Sequence, residues 1–134
     1  MKKKLSIQYW LSSFGAVALL LSSSSLYSED WYVSASGSNN NSGQSIDSPF
    51  STITRGIASA EAGDTVYVMD GIYRNSNFGS GLTNGSAVRI NKSGDPVLGP
   101  ITLRNLPGHK PKIQFDGSFG INFAANTSHF IVEG

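Results

Sequence analysis

One stretch, residues 49–73 (PFSTITRGIASAEAGDTVYVMDGIY), constrains the fold more than any other part of the 134-residue chain. It divides into a short amphipathic helix, a tight turn, a buried strand and a second turn. Ser51 or Thr52 is placed to cap the helix, because a hydroxyl there accepts a hydrogen bond from an unpaired N–H of the first turn. Ile53, Ile57 and Ala60 follow at spacings of four and three and share one face. Gly56 on that face lowers helix propensity but permits close packing. Gly63 stands just beyond the helix, where a left-handed residue commonly ends one. Thr65-Val66-Tyr67-Val68 is a β-rich run, closed by the turn pair Asp70-Gly71. A helix this short is not stable alone and needs an apolar surface to sit on.

The rest of the chain offers short strands to build that surface. Strands are predicted at 31–35, 87–91, 101–105, 112–115, 121–123 and 130–132. Polar or Gly- and Pro-containing turns separate them at 36–48, 74–86, 92–99, 106–111, 116–117 and 125–128. Gly and Pro together make up 20 of the 134 residues, a turn-rich composition that suits many short strands better than a helical bundle. From 90 onward the strand centres fall about 8 to 13 residues apart, a spacing that an antiparallel sandwich also fits.

Trp31-Tyr32-Val33, Gly37-Ser38, Ser48-Pro49-Phe50 with Thr52-Ile53, the run 62–68, Gly71-Ile72-Tyr73, the run 99–105 and the closing 129–134 form one recognisable series. The series resembles the N-terminal cap and first coils of right-handed parallel β-helix proteins, in particular secreted polysaccharide lyases: L-type pectate lyases and chondroitinase-B-like and alginate lyases. It covers roughly 31–134. The resemblance implies an all-β fold, a right-handed parallel β-helix (a solenoid) with a short N-terminal capping helix. In such a stack the Ile53/Ile57/Ala60 face would cover the open mouth of the first coil. Residues 29–134 supply about two to three coils with no C-terminal cap, so the chain is expected to be the N-terminal part of a longer protein, truncated at its C-terminus.

The first 28 residues are expected to be a signal peptide rather than fold. Lys2-Lys3-Lys4 is followed by a twelve-residue apolar run, 10–21, and then by small polar residues. An uncleaved membrane anchor is the alternative, but the run is shorter than the roughly 20 residues a span needs. Removal of this segment leaves seven Lys/Arg against nine Asp/Glu, a net charge near −2. No basic patch points to nucleic acid. The expected protein is a secreted or periplasmic monomer, not attached to a membrane after cleavage. The absence of cysteine excludes disulfides and thiolate metal sites.

The resemblance implies an acidic polysaccharide as partner and, for an enzyme, β-elimination. That reaction needs a neutralised uronate carboxylate and a base that removes the acidified C5 proton. The family's catalytic residues lie in later coils, so none is carried over, and the catalytic residues stay unknown. From the residues themselves, 106–111 reads first as an exposed turn with solvated charges, and His109 there is a candidate base with Lys110, Lys112 or Arg104 beside an anionic sugar. Arg104 and Arg89 are mid-strand cations that could face outward to grip carboxylates, and they read equally as ordinary exposed positions. Asp64, Asp70, Asp95 and Asp116 are expected to form turns, and His129 to be a polar residue at a strand edge. Asp47, with the Asn and Ser residues of 36–48, is a one-carboxylate candidate for calcium, in a loop otherwise expected to be solvated. No cofactor is evident, and calcium is expected only for a full-length protein. No nucleophile elbow, phosphate loop or paired glycosidase carboxylates occur. The alternative function is a non-catalytic secreted or surface solenoid for carbohydrate binding or adhesion; a decayed gene fragment is the third reading.

Overall fold

Valines alternating with polar residues make Thr65–Val68 a strand with one buried side, and the strands at 86–90 and 101–105 repeat that arrangement. The structure, a computed structural model, describes residues 27–75, 79 and 85–134. The proposed leader up to residue 26, and most of the 74–86 loop, lie outside the described residues. In chain order the elements are β1 (Asp30–Val33), α1 (Ile53–Ser59), β2 (Thr65–Val68), β3 (Ile72–Arg74), β4 (Ser86–Ile90), β5 (Ile101–Asn105), β6 (Lys112–Gln114), β7 (Phe119–Phe123) and β8 (Phe130–Glu133).

The described strands form three sheets, ordered β1-β2-β5-β8, β3-β6 and β4-β7. Every pair of named strands is parallel. From β2 onward the chain visits the three sheets in rotation, so each strand pairs with the third strand after it. Thr65 opposes Thr102, 37 residues on, Ile72 opposes Lys112, 40 on, and Ile101 opposes Phe130, 29 on. Parallel neighbours need a long crossover, and here two other strands provide it in place of a helix. The fold is therefore all-β with one short helix and parallel sheets. The antiparallel sandwich that strand spacing alone allowed is overturned by this pairing.

Helix α1 forms as its sequence predicts. Thr52 is the N-cap, and its hydroxyl accepts from the Arg55 N–H at 3.2 Å. Ile53, Gly56 and Ile57 are buried, as is Ala60 just past the end. A methyl group at Gly56 would stand 2.8 Å from both Val33 Cγ2 and Val66 Cγ1, so glycine is what lets the helix lie against β1 and β2. The helix ends differently from expectation. Its C-cap, Ala60, is extended, and Gly63 (φ 92°) serves the following turn instead. The Lys92 ammonium closes the end by donating to the carbonyls of Ala58 and Ala60 and to the Glu61 carboxylate. That places a cation at the negative pole of the helix.

Five other local readings need correction. Ile72–Arg74 is a strand, where only a turn was expected. Sheet pairing of the first strand runs from Asp30 to Val33, so Ser34 and Ala35 leave it. The sixth strand stops at Gln114, leaving Phe115 half-exposed, and the seventh begins two residues early, at Phe119. The 36–48 loop is not simply solvated. Gly43 is buried beneath the Phe50 ring, and its carbonyl accepts from the Tyr32 N–H at 2.7 Å. Phe50 itself extends the main sheet by a parallel bridge to Val33 and stacks on Trp31 at 5.9 Å.

The core runs through the interior between the sheets and α1, and it contains Val33, Phe50, Ile53, Ile57, Val66, Val68, Val88, Ile90, Ile101 and Leu103. Asp64 ties the entry of the chain to it. Its carboxylate accepts from the Glu29 and Glu61 N–H groups, both at 2.8 Å, and from the Trp31 indole at 3.0 Å. It is 5% exposed, and three donors replace the water it loses.

Candidate functional site

Parallel pairing in register turns single residues of distant strands into straight rows. On the four-stranded sheet Trp31, Val66, Leu103 and Val132 form an inward row. The residues between them face outward because side chains alternate along a strand. Two outward rows result. One contains Asp30, Thr65, Thr102 and Ile131; the other contains Tyr32, Tyr67, Arg104 and Glu133. The Tyr32 and Tyr67 rings stack with centroids 5.7 Å apart and planes inclined by 21°. Partial burial, then the charge of Asp30 and the neighbouring Tyr67, raises the Tyr32 phenol above its ordinary pKa, so it is a neutral donor. Arg104 Nη1 pairs with a Glu133 oxygen at 3.0 Å, and both side chains are nearly half exposed.

A second polar group edges a cavity of about 650 Å³ at the end of the stack formed by β6, β7 and β8. Val68, Leu103, Ile113, Ile121 and Val132 make its apolar wall, and Arg104, Asn105, His109, Lys110 and Glu133 its polar side. The turn between β5 and β6 positions His109. The His109 N–H donates to Leu106 O at 2.9 Å, and the Asn105 amide holds His109 O at 2.8 Å. His109 Nδ1 accepts from the Asp70 N–H at 3.0 Å, which leaves Nε2 as the free ring nitrogen in the neutral form. The Asp70 carboxylate takes the Lys110 N–H at 2.6 Å and lies 3.1 Å from His109.

These geometries stand beside the similarities of the chain to known proteins. The family described as a protein of unknown function, DUF1565, matches residues 35–127. The chain belongs to that family. Two solved structures are similar to this DUF1565 chain. A rhamnogalacturonan lyase is 25% identical with a TM-score of 0.58, over 79% of the chain and 27% of its own length. XylC, in complex with xylose, is 27% identical with a TM-score of 0.48, over 61% of the chain and 11% of its own length. The DUF1565 chain thus spans only a minor part of either structure. No curated protein matches the sequence.

Of the residues singled out from sequence, Arg104, His109 and Lys110 line the cavity, together with Glu133, and Asp70 joins them through its bonds to His109 and Lys110. The structure separates the others. Lys112 is exposed on β6, outside the cavity lining, and Arg89 is exposed on β4, in register with Asn122. His129 has a positive φ of 50° and precedes β8, and its carbonyl accepts the Ile101 N–H at 3.0 Å. Asp95 makes a local turn by accepting from the N–H groups of Leu98 and Val97, and these bonds hold its carboxyl below the ordinary pKa. The Asn75 amide and the Gly79 N–H, from a distant segment, likewise hold the Asp116 carboxyl below its ordinary pKa.

Asp64, Asp70 and Asp116 do more than form turns, since each joins segments 33 to 41 residues apart. Asp47 is exposed. Its neighbours are committed within the loop: Asn39 Oδ1 accepts from the Ser51 N–H, and the Asn41 amide donates to Pro49 O. Among the described residues no group of three His, Cys, Asp or Glu side chains could hold a metal, and no helix is long and apolar enough to cross a membrane. The Tyr32/Tyr67 pair was not visible as a feature of the sequence. Its only local signal is a tyrosine at the outward parity of two separate strands.

Proposed function

We propose that the chain forms the first coils of a right-handed parallel β-helix in an exported protein that acts on or binds acidic polysaccharide. The observation that carries this reading is the likeness to a rhamnogalacturonan lyase over 79% of the chain. The three-sheet rotation of parallel strands supports it, since a solenoid stacks its coils in that way. Lyase-like β-elimination is the activity proposed for a whole protein built on these coils. Its catalytic carboxylates, and any calcium they hold, belong to coils other than these. Residues 1–28 are proposed as the export signal.

A second reading, carbohydrate binding without catalysis, is favoured by the commitments of the acids. Asp64, Asp70, Asp95 and Asp116 all accept hydrogen bonds that organise the backbone. The deciding experiment presents pectic and other uronate polymers to the intact chain and follows both retention in affinity electrophoresis and release of unsaturated, ultraviolet-absorbing ends. Retention without product supports the binding reading for these coils; product formation assigns them lyase activity. Failure to retain any uronate polymer contradicts the proposal.

A further inference from the structure

We propose that His109 is a proton-controlled link between two stacked turns. When the ring is neutral its Nδ1 accepts the Asp70 N–H; when the ring is protonated the same nitrogen donates to the Asp70 carboxylate. The inference concerns contacts within this chain and stands apart from what the protein binds.

The backbone around the pair is the first argument. β2 pairs with β5 and β3 with β6, so the 69–71 turn and the 106–111 turn lie against each other. The Leu106 N–H donates to Val68 O on one side and the Lys112 N–H to Gly71 O on the other, each at 2.9 Å. The Lys110 N–H holds Asp70 Oδ1 at 2.6 Å. Bonds other than their own thus bring Asp70 and His109 together, and His109 can exchange partners without movement of either turn.

The second argument is that one nitrogen meets two opposite groups. His109 Nδ1 stands 3.0 Å from the Asp70 nitrogen, a donor, and 3.1 Å from Asp70 Oδ2, an acceptor. A lone pair on Nδ1 satisfies the first and is repelled by the second; an N–H there satisfies the second and gives up the first. The proton on Nδ1 therefore decides which contact is a hydrogen bond. Imidazole is the side chain whose ordinary charge change falls between about pH 5 and 8. The side chains of His109 and Asp70 are 29% and 67% exposed, so solvent can deliver that proton. The other charged residues beside His109 are Lys110 on its own turn, Arg104 of β5 and Glu133 of β8, which line the same cavity; Arg104 and Glu133 pair with each other at 3.0 Å.

A consequence follows for the other ring nitrogen. In the neutral form Nδ1 is an acceptor, so the ring proton sits on Nε2; in the charged form both nitrogens carry protons. Nε2 is a donor in either state. His109 then presents no basic nitrogen to the cavity, and the residue that the sequence offered as a base serves instead as a donor and a switch.

The test is nitrogen-15 NMR of the intact chain, titrated between about pH 8 and 5. At the upper end His109 is expected as the Nε2–H tautomer, with the Asp70 amide protected from exchange. As the ring takes its proton, the Asp70 amide signal is expected to move with the same midpoint. Its exchange, corrected for the intrinsic effect of pH, should rise about three- to tenfold, the worth of one hydrogen bond, while the Lys110 amide keeps its protection. The protonated ring should show a slowly exchanging Nδ1–H signal that Asp70→Asn removes, since that variant keeps the N–H contact and lacks the charge. His109→Asn is expected to abolish the step at the Asp70 amide; should it not fold, the wild-type titration and Asp70→Asn decide. A merely structural histidine would hold the Asp70 amide equally across the range. An Nδ1–H tautomer at the upper end, an Asp70 amide indifferent to the ring's titration, or a step that survives His109→Asn overturns the link.

Discussion

The two ends of the strand stack have similar strands and opposite surroundings. At one end α1 lies across β1, β2 and β4, and Ile53, Ile57 and Ala60 are no more than 3% exposed. At the other, no helix lies across β6, β7 and β8 among the described residues. Val132 occupies the same inward row as Val66, yet it is 42% exposed while Val66 is fully buried. Phe119 and Phe123 are about half exposed. The difference shows that a strand's sequence does not by itself bury its apolar face. A neighbour must cover it, and in this fold the neighbour comes from a helix or from another strand of the same sheet.

The contrast can be broken most severely at the covered end. Ile57→Asp places an unpaired charge in the buried helix face and is expected to cost about 3–5 kcal/mol, against less than about 1 kcal/mol for Val132→Asp at the open end. Urea unfolding of the two variants checks this; equal losses would mean that α1 is not the cover it is taken for. Asp64→Ala comes next. It leaves three N–H donors near the chain entry without their acceptor and is expected to cost about 2–4 kcal/mol. Asp64→Asn, which keeps one acceptor oxygen, is expected to cost less in the same assay.

A pH effect at the covered end sharpens the comparison. Burial, with a smaller contribution from the charge of Asp70, pushes the Tyr73 phenol up to about 12. Its hydroxyl donates to Met69 O at 2.9 Å and Val33 O at 3.2 Å. A raised pKa means that the unfolded state loses this proton first. The contribution of Tyr73 to stability is then complete below pH 10 and falls away between 10 and about 12. Tyr73→Phe is expected to flatten the stability profile in that window, measured by urea midpoints at successive pH values. An unchanged slope would show that Tyr73 does not titrate with folding. The smallest effect is expected at Lys92. Removal of its ammonium from the helix end by Lys92→Met should lower stability by about 0.5–1 kcal/mol, less at high salt.

What was legible in the sequence follows from distance along the chain. The helix, its Thr52 cap, its buried face and the close approach at Gly56 all depend on residues within a few positions, and all appear as expected. The strand at 101–105 is likewise local. Strand β3 was missed because three residues behind an Asp-Gly turn are too few to show alternation. The work of Asp64 was missed because two of its donors lie 33 and 35 residues away. For the same reason His109 could be named as a candidate but not placed beside Asp70, and the tyrosine row could not be seen. Register across parallel strands joins residues 29 to 40 positions apart, and no local pattern encodes it.

Native-state amide hydrogen exchange tests the central claim, that α1 covers the β1, β2 and β4 side of the described stack, most directly. The account predicts the strongest protection in β2 and β5, where both edges are paired, with α1 and β1 exchanging at comparable rates. Protection should fall through β6 and β7 to the fastest exchange in β8. Uniform protection from β1 to β8, or faster exchange in α1 than in β8, would contradict it.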